Sequence, residues 1–178
     1  MNLGFKILTP ENWLEPDDAS TSFVRLSASN GKYRSITGEQ YLNDIMKPGL
    51  IEAVPKEICA LFEVARGAMA YGYFFYPLYT LACEQLFRVA DAATIYKCKA
   101  VKASRSIITG EFEERLIYLI SGKFIPLNKE DAWYAIRKLR NKTSHSEHQN
   151  ILTPGNVIGI LERIANEINS LFNSTQSL

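Results

Sequence analysis

The stretch that decides the fold is residues 55–100, PKEICALFEVARGAMAYGYFFYPLYTLACEQLFRVADAATIYKCKA. Apolar residues recur in it at spacings of three and four, which predicts two amphipathic helices. We place the first from Pro55 to about Tyr71 and the second from about Tyr76 to Ala103. The predicted inward faces consist of Ile58, Leu61, Phe62 and Ala65 in the first helix and of Leu78, Leu81, Ala82, Val89, Ala92, Ala93 and Tyr96 in the second.

The junction between these two helices, residues 67–83, contains no charged residue. It is shorter than the ~20 apolar residues that a membrane-spanning helix needs, and it contains Gly72 and Pro77. We therefore interpret it as the end of one buried helix, a turn and the start of the next, and we expect no membrane partner. Gln85 falls in the middle of the second apolar face, so we expect it to be buried with hydrogen-bond partners.

Start and stop signals outside this stretch predict further helices. Thr37 and Gln40 match a capping box, in which each side chain satisfies a free backbone donor of the other residue. The fold class predicted for residues 37–175 is mainly α, a bundle of about five helices. Beyond the central pair, we place helices from Thr37 to about Met46, from Glu111 to Ser121, from Asn128 through Leu139 into residues 140–145, and from Thr153 to about Leu171.

Residues 1–36 differ from the rest and form a predicted N-terminal arm. Residues 11–22 are polar and acidic, which predicts a loop. Short apolar pieces flank Asn30-Gly31, a dipeptide typical of a β-hairpin turn. A two-stranded hairpin is only marginally stable by itself, so we expect it to pack on the helical body.

Composition excludes several classes of function. A chain of 178 residues with 47% apolar residues and a net charge of +1 predicts a globular domain with no overall bias towards nucleic acid or membranes. Three cysteines without a CxxC pair argue against structural disulfides and a zinc knuckle, and favour reduced thiols in a cytoplasmic protein. The absence of GxGxxG, P-loop and GxSxG motifs argues against dinucleotide, Walker-type and serine hydrolase sites, and we expect no cofactor.

The segment with the clearest chemistry is residues 140–145, RNKTSH. On a helical wheel, Trp133, Ile136, Leu139 and Thr143 form a buried stripe, and Arg140 lies at its edge. A guanidinium in that position needs a partner, because an unpaired buried charge is costly. The partners we expect are Glu84 and Gln85.

Asn141 and His145 are four residues apart and therefore share a more polar helix face. Histidine exchanges protons near neutral pH, and arginine binds phosphate oxygens through two parallel hydrogen bonds. This combination is suited to phosphodiester chemistry, with Asn141 orienting the phosphate or the histidine. The predicted binding surface around these residues consists of Tyr134, Arg137, Lys138, Lys142, His148 and Glu84.

The pattern Arg-Asn-x-x-x-His near the end of a long helix resembles that of the HEPN family (higher eukaryotes and prokaryotes nucleotide-binding domains). Residues 55–93, with Ala65-Arg66 and the segment LACEQ at 81–85, resemble its first helix pair. Residues 116–145 resemble its later pair. The likeness covers roughly residues 50–175 and leaves residues 1–36 without a counterpart.

This resemblance implies a homodimer in which two motifs face one another across a cleft. Active members of the family are metal-independent endoribonucleases of toxin–antitoxin, defence and RNA-processing systems, so the implied partners are RNA and an antitoxin-like protein. Arg140 and His145 match the catalytic pair, and Asn141 matches the polar residue beside the arginine. The alternative is a catalytically silent module for dimerisation or nucleotide binding, in which Arg140 only ties helices together.

Three further features have simpler interpretations. His145 and His148 with Glu147 do not have the HExxH zinc spacing, which favours a polar helix end over a metal site. A basic run after the second helix is typical of a solvated helix end whose charges complement the helix dipole, and an aromatic group near residue 75 is more typical of a core or dimer interface than of base stacking. The basic run is Lys97, Lys99, Lys102 and Arg105, and the aromatic group is Tyr71, Tyr73, Phe74, Phe75, Tyr76 and Tyr79.

Overall fold

The structure is a computed structural model, and it describes residues 5–26, 31–144 and 152–173. It confirms a mainly helical fold with a small β-hairpin near the N-terminus. The helices are α1 (Asp18–Thr21), α2 (Gly38–Met46), α3 (Lys56–Tyr71), α4 (Leu78–Ala100), α5 (Arg105–Thr109), α6 (Phe112–Ser121), α7 (Glu130–Ser144) and α8 (Pro154–Asn173). The strands are β1 (Val24–Leu26) and β2 (Tyr33–Ser35), and a single 3-10 turn at Leu127–Lys129 precedes α7.

Helix α4 is the centre of the molecule. It packs against α3, α5, α6, α7 and α8, so side chains are buried around most of its circumference. The core therefore runs along α4, with Phe62 and Met69 of α3 and Leu161 and Ile168 of α8 among its fully enclosed residues. Among the described helices, none has the length and apolar content that crossing a membrane would require.

Local signals in the sequence explain most of the helix boundaries. Thr37 and Gln40 form the predicted capping box of α2. Pro55 directly precedes α3, whereas we placed it inside the first turn, and Gly122 follows the last residue of α6. These boundaries are encoded locally because the capping residues satisfy backbone groups within one helical turn.

Two predicted core positions of the central helix pair are wrong. Leu61 in α3 is 36% exposed and Leu81 in α4 is 50% exposed. Both lie at the rim of their apolar stripes, and the described helices that pack on α3 and α4 cover neighbouring residues instead. Gln85 is only half-buried, and its amide donates to the Leu61 carbonyl oxygen at 3.5 Å.

The N-terminal arm contains more helix than predicted, since α1 interrupts the expected loop at 11–22. The Asp17 side chain accepts from the Ala19 amide and caps this short helix. The predicted hairpin is present, with Val24 opposite Ser35, and Gly31 has a φ of +64° that favours glycine. Arg25 pairs with Asp44 of α2, which places the hairpin against the helical body as expected.

Helix α4 ends three residues earlier than predicted. Val101 follows the helix, and Lys102 adopts a left-handed backbone conformation with a φ of +56°. The chain then turns into α5, which the sequence did not lead us to expect. Ser104 caps α5 by accepting from the Ile107 amide.

Candidate functional site

Helix α7 carries the first part of the motif, residues 140–144. Trp133 and Ile136 are buried, at 1% and 2% exposure, which fixes the rotation of α7 about its axis. Leu139, predicted to be buried with them, is 41% exposed. His145, His148 and Glu147 lie outside the described residues, so the predicted stacking of Asn141 on His145 stays a prediction.

Arg140 lies at the edge of the buried stripe, as predicted, with its side chain 39% exposed. Its Nη2 atom is 3.4 Å from the Oδ2 atom of Asp91 in α4, and its guanidinium carbon is 5.9 Å from the centre of the Phe112 ring in α6. Arg140 therefore connects α7 to both α4 and α6. These contacts orient the guanidinium while leaving over a third of the side chain at the surface.

The carboxylate at Arg140 corrects our expectation of Glu84 and Gln85. Asp91 lies seven residues after Glu84, which is two helical turns or about 10 Å along the axis of α4. The predicted direction in which the partner projects from α4 was therefore right, but its predicted position along the axis of α4 was wrong. Glu84 is half-buried, and burial together with the charge of Glu84 raises the pKa of the neighbouring Cys83 thiol to about 12.

Arg115 of α6 completes this arrangement, and sequence reasoning missed it. Its side chain is 5% exposed, and its Nη2 atom binds the Oδ1 atom of Asp91. Its Nε atom donates to Thr94 Oγ1 at 3.1 Å, and its Nη1 atom donates to the carbonyl oxygen of Gly110. Asp91 is thus shared by a buried arginine and a surface arginine.

A signal for Arg115 was present in the sequence. It occupies the same apolar stripe of α6 as Phe112 and Leu119, three residues after the first and four before the second. A charged residue inside such a stripe predicts a buried ion pair, because an unpaired buried charge is costly. Asp91 was harder to find, since helical charges at the surface are common.

The remaining predicted binding residues form a mixed surface on α7. Lys138, Asn141 and Lys142 are exposed, and the spacing of three and four residues places Lys138 beside the other two. Tyr134 is half-buried. Arg137 forms an ion pair with Glu113 of α6, so part of its charge is already neutralised.

The aromatic group divides into an interior half and a surface half. Tyr76 and Tyr79 are buried in the core, as predicted, whereas Tyr71 is 64% exposed. A shallow, mostly apolar cavity of about 460 Å³ lies beside Tyr71, Tyr73 and Phe74. The cavity is separate from the motif, since it lies between α2 and the end of α3.

The three cysteines are free thiols, and Cys83 and Cys98 are buried. Burial raises the pKa of Cys98 to about 11, so both buried thiols remain protonated at neutral pH. Within the described residues, no cluster of histidine, cysteine and acidic side chains could hold a metal ion. Both histidines fall outside that range, so the alternative of a His-x-Glu-His metal site stays open.

Comparison of the chain with protein-family models, with curated proteins and with solved structures finds no match. Any functional assignment therefore depends on the residues themselves and on the likeness of their pattern to the HEPN motif.

Proposed function

We propose that this protein is a HEPN-like, RNA-binding protein that acts as a metal-independent endoribonuclease through Arg140, Asn141 and His145. The observation that carries the proposal is the environment of Arg140. The Arg140 guanidinium is held at the surface by a carboxylate whose negative charge is already countered by a buried arginine.

The charges of Asp91, Arg115 and Arg140 support an anion-binding role for this group. Asp91 contributes one negative charge, and Arg115 and Arg140 contribute two positive charges, so the group as a whole has a charge of +1. Arg115 makes the closer contact with Asp91 and is nearly enclosed, whereas Arg140 makes the longer contact and is partly exposed. Of the two arginines, Arg140 is therefore the one that a phosphate can approach.

The proposed reaction uses the nucleophile that RNA itself supplies. His145 takes the proton of a ribose 2′-hydroxyl, the 2′-oxygen bonds to the adjacent phosphorus, and the bond from phosphorus to the 5′-oxygen breaks. The departing 5′-oxygen takes a proton from solvent, and the products are a 2′,3′-cyclic phosphate and a free 5′-hydroxyl. Arg140 stabilises the charge that develops on the phosphoryl oxygens, and Asn141 positions the phosphate.

The neighbouring side chains have binding roles in this proposal. Lys138 and Lys142 contact flanking phosphates as point charges. Arg137 attracts phosphate more weakly, because its ion pair with Glu113 neutralises part of its charge. Tyr134 contributes to this surface of α7, and His148, which lies outside the described residues, is expected to complete it. The resemblance adds a homodimer in which a second motif faces the first, and light scattering on the purified chain tests that arrangement.

The decisive experiment measures cleavage of structured and unstructured RNA in chelator by the wild type, His145→Ala and Arg140→Ala. We expect each substitution to reduce the cleavage rate by about 10²–10⁴-fold, which is the usual contribution of an acid/base group. Arg163→Ala is the matched control, because Arg163 is an exposed arginine on a different helix, α8. Equal cleavage by the wild type and both motif variants would remove the motif from the mechanism.

A catalytically silent module is the second candidate, and the contacts of Arg140 with Asp91 and Phe112 favour it. In that case Arg140 mainly ties α7 to α4 and α6. The wild type would then leave RNA intact, while Arg140→Ala would lower the melting temperature. Calorimetry with nucleotides tests whether such a module binds them without cleavage.

A further inference from the structure

Lys97 differs from the other members of its basic run because it is buried. It lies in the last turn of α4, and the residue is 9% exposed. Lys99, two residues further on, is exposed, as a solvated helix end predicts. The same short segment therefore holds one enclosed and one solvated lysine.

Two aromatic rings bracket the Lys97 amine. Its Nζ atom is 5.9 Å from the ring centre of Phe124, which follows α6, and 6.0 Å from that of Phe172, near the end of α8. Both distances are within the range in which an aromatic face attracts a cation. The amine is thus held where three separate segments of the chain meet.

In the part of the chain that the structure describes, no carboxylate is paired with Lys97, unlike the other buried cation, Arg115. The Lys97 amine also makes no hydrogen bond there, yet it is not among the fully enclosed polar atoms that lack a partner. The residue as a whole keeps 9% of its surface exposed. Burial without a counter-charge lowers the pKa of Lys97, so more of its amine is uncharged at neutral pH than for a solvated lysine.

We propose that Lys97 is a carbonyl-reactive amine, at which aldehydes that carry an aromatic ring form a Schiff base. The uncharged nitrogen attacks the carbonyl carbon to give a carbinolamine. The carbinolamine hydroxyl then takes a proton from solvent and leaves as water, so a C=N bond replaces the C=O bond and the nitrogen retains one hydrogen as an iminium. No oxidant, reductant or metal is consumed.

The two phenylalanine rings explain the preference for aromatic aldehydes. They attract the iminium charge as they attract the ammonium, and they offer apolar faces against which the ring of the aldehyde can pack. The enclosed position of Lys97 favours a compact, flat molecule over a bulky one. The site lies on α4, α8 and the segment after α6, and the inference does not depend on RNA cleavage.

The experiment treats the full chain with benzaldehyde and cyanoborohydride, which reduces the iminium to a stable secondary amine, and locates the added mass by peptide mapping. We expect Lys97 to be labelled several-fold faster than Lys99, the matched exposed lysine. Lys97→Arg should remove that label and leave the labelling of Lys99 unchanged. Phe172→Leu, which keeps an apolar side chain, should reduce the ratio of Lys97 labelling to Lys99 labelling.

Acetaldehyde provides the test of ring preference, and we expect a smaller ratio of Lys97 to Lys99 labelling than with benzaldehyde. Labelling of Lys97 no faster than Lys99 by either aldehyde would overturn the proposal, as would labelling that appears only in urea. Equal ratios for the two aldehydes would overturn the assigned ligand class. Circular dichroism of each variant establishes that its fold is retained.

Discussion

The contact between Asp91 and Arg115 allows a sharp prediction about stability. Asp91→Asn keeps the shape of the side chain and removes its charge, which leaves a guanidinium that is 5% exposed without a counter-charge. Breaking a buried pair from one side costs roughly 3–5 kcal/mol. Asp91 is 20% exposed and Arg115 keeps bonds to Thr94 and Gly110, so we expect a value near the lower end, about 3 kcal/mol.

Urea denaturation followed by circular dichroism measures this loss in the free energy of unfolding. For a chain of this size, about 3 kcal/mol corresponds to a fall of roughly 6–12 °C in the melting temperature. Glu113→Gln is the matched control, since it removes the same charge from the more exposed pair with Arg137, at a cost of at most about 1 kcal/mol.

The double variant Asp91→Asn with Arg115→Met tests the cause of the loss. Replacing both members of a buried pair by uncharged groups is far less costly than breaking it from one side. We therefore expect the double variant to be more stable than Asp91→Asn alone. The reasoning would be refuted if Asp91→Asn lost no more stability than Glu113→Gln. It would also be refuted if the double variant lost as much stability as Asp91→Asn and Arg115→Met, measured separately, lose together.

Two other outcomes are expected from buried polar groups. The carboxylate of Asp17, which is 1% exposed, accepts from the backbone amides of Lys6, Ala19 and Tyr76; Asp17→Ala should cost about 2–4 kcal/mol in urea denaturation, while Asp18→Ala, at an exposed position, should cost far less. Burial raises the pKa of Tyr41 to about 12 from its ordinary 10.0, so its stabilising contribution is complete below pH 10 and is lost as the pH rises towards 12. Unfolding measured across that pH range should show a decline that is shallower in Tyr41→Phe, and an unchanged slope would contradict it.

The position of Arg140 in the candidate site could be predicted from the sequence, whereas its partner could not. The position of Arg140 at the edge of a buried stripe follows from the helical period, because Trp133 and Ile136 are strongly apolar and fix the phase. The identity of its partner does not follow from that period. Whether Glu84 or Asp91 meets Arg140 depends on how far α4 and α7 are shifted along each other, and no local signal records that shift.

Burial at the end of α4 shows the same limit. Lys97 and Lys99 have the same chemistry and are two residues apart, yet only Lys97 meets Phe124 and Phe172, which come from distant parts of the chain. A basic run after a helix predicts solvation for both. The packing of α8 against α4 decides which of the two is enclosed.

The sequence by itself determined the helical class, the presence of a hairpin near the N-terminus and the capping of α2. These depend on hydrogen bonds and side-chain periodicity within one or two turns, where every participant is close in the chain. Only the tertiary structure decided which charges meet, as with Asp91 and Arg115, and which cations lose their solvent, as with Lys97. Such outcomes depend on how packed helices are rotated and shifted along their axes relative to one another. Contacts throughout the core, from distant parts of the chain, determine these shifts and rotations.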